Sequence, residues 1–326
     1  MSDLKNRVMS LVKDDLEGIE TALLENLNPN LDLVSKVAHH ILFSGGKRLR
    51  PLLMVLSARL CEYQGDYDKT FSVIFEYLHA ATLLHDDLVD DAHIRRGKPA
   101  SHTVWGNETA VLVGDFLLAR GLAIAAETDE PRIIKIISEI TQNMSQGEIH
   151  QLDRKGRIDL TETEYMDIIR CKTAVLFQGA CCISAILAKA SEEKETALAA
   201  YGYNLGLAFQ MVDDLLDYTF DTQALGKTVG ADLREGKLTL PVIMALHRAQ
   251  PEDRQPMEKV IQDETFTEND FRWLVEKISE YGGFEYTRAL AREHTAKARQ
   301  ALELFPESPT RDILLDIAEY ALERTH

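Results

Sequence analysis

Residues Glu76 to Gly97 read EYLHAATLLHDDLVDDAHIRRG: an apolar run, then Asp86, Asp87, Asp90 and Asp91, then Arg95 and Arg96. At 3.6 residues per turn, Asp86 and Asp90 share one helix face, with Asp87 beside them. Carboxylates crowded at a helix C-terminus repel one another and meet the negative end of the helix dipole. A divalent cation relieves both strains, because Mg²⁺ takes carboxylate oxygens and keeps positions for phosphate. A solvated acidic cap is the plain alternative for one such cluster. The segment GLAFQMVDDLLDY then repeats the spacing with Asp213, Asp214 and Asp217 behind another apolar shaft. Two acidic helix ends of one pattern argue for metal chemistry: together they could bracket several Mg²⁺ ions around one diphosphate, making it a better leaving group.

Outward from this stretch, apolar residues recur at helical spacing and alternating strand patterns are absent. The spacing predicts helices over Leu4 to Leu27, Leu31 to Phe43, a third opened by Pro51, and Asp68 to Asp91. After the loop HIRRGKPAS a helix resumes near His102. Thr109 to Ala126 is apolar on almost every side, which predicts a helix buried all round, in the core or in a subunit interface. Helices over Arg132–Arg154, Glu162–Ala190, Glu193–Phe220 and Leu238–Ala249 follow, with three or four more to the end and a glycine-rich loop from Gly226 to Gly236. No repeat or linker interrupts them. The expected fold is all-α, a single domain over residues 1–326 with about a dozen helices around a central cavity.

Bulk properties exclude several functions. The chain has 326 residues, 45% apolar and 27% charged, with a net charge of −17. That balance is globular, and the charge disfavours a nucleic-acid surface or adhesion to anionic lipid. Cys61, Cys171, Cys181 and Cys182 form no CxxC pair, so free thiols in a reducing, cytoplasmic setting are expected. The amphipathic, acidic amino terminus resembles neither a signal nor a transit peptide. No run of about 20 apolar residues suggests stable membrane insertion.

The cations stand beside glycine turns or motif helices. FSGGKRLRP carries Lys47, Arg48 and Arg50; HIRRGKP carries Arg95 and Arg96; RCKTAV carries Lys172 and Thr173; LGKTVGADLREGKLTLP carries Lys227 and Lys237. Grouped cations in an acidic protein suggest phosphate sites. GGKRLRP lacks the P-loop pattern. Gln210 and Gly206 share the face of Asp213, where Gln210 can donate to a phosphate oxygen and Gly206 permits close approach. His79 lies two turns before Asp86, about 10 Å down the same face. Glu148, His150 and Asp153 read as a polar helix face rather than a zinc motif.

Taken in order, GGKRLRP, DDLVDD with RRG, KTA, FQMVDDLLD and the GK loop resemble the all-trans polyprenyl diphosphate synthases, over nearly the whole chain. The resemblance implies the isoprenoid synthase fold, a homodimer, and three Mg²⁺ ions per site. It assigns Asp86, Asp87 and Asp90 to metal on an allylic diphosphate, and Asp213, Asp214 and Asp217 to completing the metal set. Arg95, Lys172, Gln210, Lys227 and Lys237 match positions that grip the allylic diphosphate. Lys47, Arg50, His79 and Arg96 match those that grip isopentenyl diphosphate, and Thr173 the one that steadies the developing cation. In this family a bulky aromatic near Ala81 and Thr82 stops chain growth. Both residues are small here, which implies a long-chain product of the heptaprenyl or octaprenyl type, for quinone side chains. Ile137, Ile140 and Met144 are candidates for the tunnel floor.

Two other readings compete. A terpene cyclase would carry a different second acidic site and needs no second diphosphate pocket. A non-catalytic partner subunit would not need the intact aspartate and cation sets. A Ca²⁺ buffer lacks its EF-hand loop here.

Overall fold

The computed structural model describes residues 3–218, 230–263 and 265–323. Helices dominate these residues, as the apolar spacing predicts. Contacts along the chain divide it into two compact units. The first comprises Met1–Thr141, Leu176–Gly202 and Ala301–Ile317, and the second Gln142–Val175, Tyr203–Gln300 and Ala318–His326.

The first unit is built on the Tyr67–Val89 helix, which buries Phe71, Val73, Ile74, Phe75, Tyr77, Leu78, Ala80, Ala81 and Leu84. Each large apolar side chain so buried contributes roughly 1.5–3 kcal/mol. The Asn107–Ala125 helix packs against the Tyr67–Val89 helix at Gly121, which faces the Ile74 and Leu78 methyls. The Leu49–Leu60 helix packs against it, buried from Pro51 through Ala58. Tyr77 Oη, deep in this core, donates to Leu23 O at 2.7 Å.

The second unit gathers Tyr165, Ile168, Met211, Leu215, Tyr218, Leu240, Phe271, Leu274 and Phe284 into one core. Tyr218 and Phe271 stack with ring centroids 6.1 Å apart. Two of its helices start on side-chain caps. Thr161 and Glu164, and Thr267 and Asp270, each form a reciprocal capping box, and each cap contributes about 1 kcal/mol. The Thr161 amide and hydroxyl hold the Glu164 carboxyl at about 2, well below the usual range.

Several expectations need correction. The first predicted helix is two, Asp3–Leu11 and Lys13–Glu25. The loop after the acidic cluster contains a minimal hairpin, pairing Ile94 with Pro99 and Arg95 with Lys98; two residues a side are too few for an alternating pattern to show. Within the single chain the Asn107–Ala125 helix buries one stripe, Ala110, Val113, Gly114, Leu117, Gly121 and Ile124, which leaves its other side for the subunit interface that was the second expectation. Leu112 on its other side is 65% exposed. The helical run Glu162–Leu187 is long and apolar enough by length and composition to cross a membrane, yet 78% of its apolar window is buried inside the protein. A core helix behaves this way. All four cysteines are free, and burial pushes the Cys181 and Cys182 thiols up to about 12.

Candidate active site

In the first unit, the chain leaves the Asp32–Leu42 helix through Gly45 and Gly46, with φ of +101° and +150°, values that glycine adopts without strain. Arg96 Nη1 donates to Gly45 O and stands 3.2 Å from where a Gly46 Cβ would be. The glycine turn is thus a seat for Arg96. Arg48, buried, donates to Glu20 Oε1 at 2.6 Å, Glu76 Oε1 at 2.7 Å and Leu42 O at 2.6 Å. It holds the turn onto the Tyr67–Val89 helix. Removing one partner of such a buried pair costs about 3–5 kcal/mol. Arg50 lies over the Phe177 ring, its Cζ 5.1 Å from the centroid, and Lys47 is exposed at the same turn. Burial and then the guanidinium charges of Arg50, Arg96, Arg95 and Arg48 lower the pKa of His79 well below its usual value, so its imidazole is neutral. Arg50 and Arg96 therefore stand close enough to His79 to act on its ring, with Lys47 exposed at the neighbouring glycine turn, and cations grouped in this way suit an anion.

At the end of the same helix, Asp87 is buried and accepts at Oδ1 from Arg95 Nε at 2.7 Å and from Arg95 Nη2. Asp86 and Asp90 are half-buried beside it. Ala81, five residues earlier, has no exposed surface. Thr82 is half-buried and donates to His79 O at 2.9 Å.

In the second unit, Arg170–Ala174 winds as a π-helical turn between the Glu162–Ile169 and Val175–Leu187 helices. Such turns occur often at functional sites. Lys172 and Thr173 lie on it. Lys172 Nζ pairs with Glu148 Oε2 and donates to Gln151 Oε1. Thr173 Oγ1 donates to Gln210 Oε1 at 2.7 Å, and Gln210 Nε2 to Asp214 Oδ1 at 2.8 Å. Tyr165 Oη donates to Asp214 Oδ2 at 2.6 Å. Burial, then the nearby Asp232, pushes the Asp214 carboxyl up to about 8. Asp213 is half-buried on the end of the Glu192–Leu216 helix. Asp217 Oδ1 and Oδ2 accept from the amides of Ala231 and Asp232, both at 3.1 Å, capping the short Ala231–Arg234 helix. Lys237 Nζ pairs with Glu235 at 2.8 Å. Gly206 is buried, and Lys227 lies outside the described residues.

A model of the family described as polyprenyl synthetase matches residues 31–278. Octaprenyl diphosphate synthase of Escherichia coli is 39% identical over 322 residues, covering 98% of each chain. All-trans-nonaprenyl-diphosphate synthase (geranyl-diphosphate specific) of Rhodobacter capsulatus is 38% identical over 323 residues, 99% of this chain and 98% of that one. The chain belongs to the polyprenyl synthetase family. A polyprenyl synthase from Caulobacter crescentus, solved in complex with calcium and isoprenyl diphosphate, superposes with a TM-score of 0.92 at 39% identity over 98% of both chains. The all-α expectation and the polyprenyl synthase resemblance are borne out.

A polyprenyl synthetase implies a divalent metal, and the residues fit one. Asp87 Oδ2 is buried with no hydrogen-bond partner among the described residues, and its neighbours on the helix face are the hard carboxylates that Mg²⁺ prefers. Sequence reasoning missed Tyr165, and it read Glu148 as part of a plain polar face. The π-turn explains both. It sets Lys172 toward Glu148 and Gln151, and Gly147 makes room, since a Cβ there would stand 2.6 Å from Cys171 Cβ and 3.2 Å from Lys172 Cγ. A period of 3.6 residues carries no trace of that extra residue. Tyr165 lies two turns before Lys172, and that spacing was the one available signal.

Proposed function

We propose that this polyprenyl synthetase condenses isopentenyl diphosphate with an allylic diphosphate, farnesyl or geranylgeranyl, into a long-chain all-trans polyprenyl diphosphate that supplies quinone side chains. The observation that carries the reading is that His79, acted on by Arg50 and Arg96, lies on the same helix that ends in Asp86, Asp87 and Asp90. One shaft then serves two anions. The chain acts as one polyprenyl synthase domain and as a homodimer, for which the exposed Leu112 side of the Asn107–Ala125 helix is the candidate interface.

Asp86, Asp87 and Asp90, with Asp213, Asp214 and Asp217, would hold three Mg²⁺ ions. When bound, the metal neutralises the allylic diphosphate as a leaving group. Arg95, Lys172, Gln210, Lys227 and Lys237 grip that diphosphate and take up its charge as the C–O bond breaks. Lys47, Arg50, His79 and Arg96 hold isopentenyl diphosphate so that its double bond attacks the allylic cation. The Thr173 hydroxyl oxygen faces the positive charge that develops. The proton lost after attack goes to the departing diphosphate, because no ionised base in either set is unencumbered by a cation or a metal role. Apolar residues along the shaft keep water from the cation.

The test is purified protein with Mg²⁺, isopentenyl diphosphate and farnesyl diphosphate, read by released diphosphate and by product mass. Long-chain polyprenyl diphosphate is expected. Turnover only after a second protein is added would favour the partner-subunit reading.

A further inference from the structure

Just past the acidic helix end, three side chains that the prenyl transfer does not use converge. The ligand atoms of Asp91, His93 and His102 all lie within 4.8 Å of one another, with Asp91 Oδ2 3.9 Å from His93 Nε2. His102 is only 8% exposed, and neither of its ring nitrogens has a hydrogen-bond partner among the described residues. A buried imidazole without a partner loses the hydrogen bonds it had in water and gains none in return. Its placement needs a reason, and ligation supplies one. From these observations we infer a second metal site, formed by Asp91, His93 and His102, that takes a borderline transition ion such as Zn²⁺ rather than Mg²⁺.

Donor chemistry separates this site from the aspartate clusters. Two imidazoles and one carboxylate suit zinc, cobalt or nickel, whereas magnesium prefers oxygen alone. Around a tetrahedral zinc the bonds are about 2.0–2.2 Å, which puts ligand atoms roughly 3.4 Å apart. The three groups must therefore close by about an ångström. Two of them can, because the Asp91 and His93 side chains are 84% and 74% exposed and free to turn, while His102 is fixed by burial. Three protein ligands leave one position to water.

The site has a mechanical role in the fold. Asp91, at φ +51°, ends the acidic helix. His93 O accepts from Ala100 N at 2.9 Å and closes the hairpin that carries Arg95. His102 lies in the Ser101–Trp105 helix. One ion would staple these three segments and fix the base of the hairpin whose Arg95 holds Asp87.

The test titrates the full chain with Co²⁺ in millimolar Mg²⁺, so that the aspartate clusters are filled, reading the visible d–d absorption and the thermal melt. One equivalent should bind with micromolar affinity, give the band of a low-coordinate histidine-bound ion, and raise the melting temperature, since an ion that binds only the native state stabilises it. His93→Ala should weaken binding at least tenfold while melting like the parent without metal, because the side chain is exposed. His102→Leu should abolish the band. Absence of a band in the parent, or an undiminished titration in His93→Ala, would overturn the proposal and leave the cobalt on the aspartates.

Discussion

Arg95 grasps Asp87 through one oxygen only, Oδ1, and the other, Oδ2, lies buried at its side without a hydrogen bond among the described residues. The pairing positions a carboxylate while reserving half of it. Asp87→Asn keeps an acceptor for Arg95 but cannot supply an ionised oxygen. It should lower kcat by about 100-fold or more and raise the Mg²⁺ needed for half-maximal rate, with a melt close to that of the parent. A parental Mg²⁺ dependence in this variant would remove Asp87 from the metal set.

Tyr165 acts on Asp214 rather than on substrate. Tyr165→Phe removes the 2.6 Å bond to Asp214 Oδ2 and leaves a buried carboxyl held, among the described residues, by Gln210. Loss of such an outer partner typically costs about 10–100-fold in metal affinity or rate. The expected signature is a rightward shift of the Mg²⁺ titration that high Mg²⁺ partly restores. A loss that Mg²⁺ does not restore would mean that Tyr165 touches substrate.

Product length should respond differently at two adjacent positions. Thr82 is half-buried and Ala81 has no exposed surface. Thr82→Phe should therefore shorten the polyprenyl product with little loss of stability. Ala81→Tyr should shorten it as well, but at about 1–3 kcal/mol of stability, because the added ring overpacks a filled region. Denaturant melts and mass spectrometry of the product separate the two. Unchanged product length in both variants would take the growing chain off this helix face.

His79 gives the acid limb of the stability curve. Burial and four arginines lower its pKa in the folded protein, so the unfolded chain binds the proton more tightly. Stability from this group is complete above an unfolded pKa of about 6.5 and falls as pH drops below it. Urea melts at about pH 7.5 and about pH 5 should therefore show a larger loss in the parent than in His79→Gln. Equal losses would show that the imidazole is not held neutral.

Much of this was legible in the sequence because it depends on period. Asp86, Asp87 and Asp90, and Asp213 with Asp214, stand where 3.6 residues per turn puts them, at the ends of apolar helices. The Gly45–Gly46 turn was legible from composition, and its consequence, the seat for Arg96, follows from the close approach that glycine allows. What escaped is what period cannot carry. The break at Val12 and the hairpin at Ile94 are too short to alter it, and the π-turn at Arg170–Ala174 shifts it by one residue inside an unbroken apolar run. Partners far apart in sequence, such as Arg48 with Glu20 and Tyr165 with Asp214, leave no local mark.

Gly147 offers a way to ask whether the charge of Lys172 suffices or its exact seat matters. A methyl group at that notch would keep the ammonium, Glu148 and Gln151 intact and displace the turn beneath them by a fraction of an ångström. Chemistry that fades under so slight a nudge would reveal an enzyme tuned by distance more than by valence.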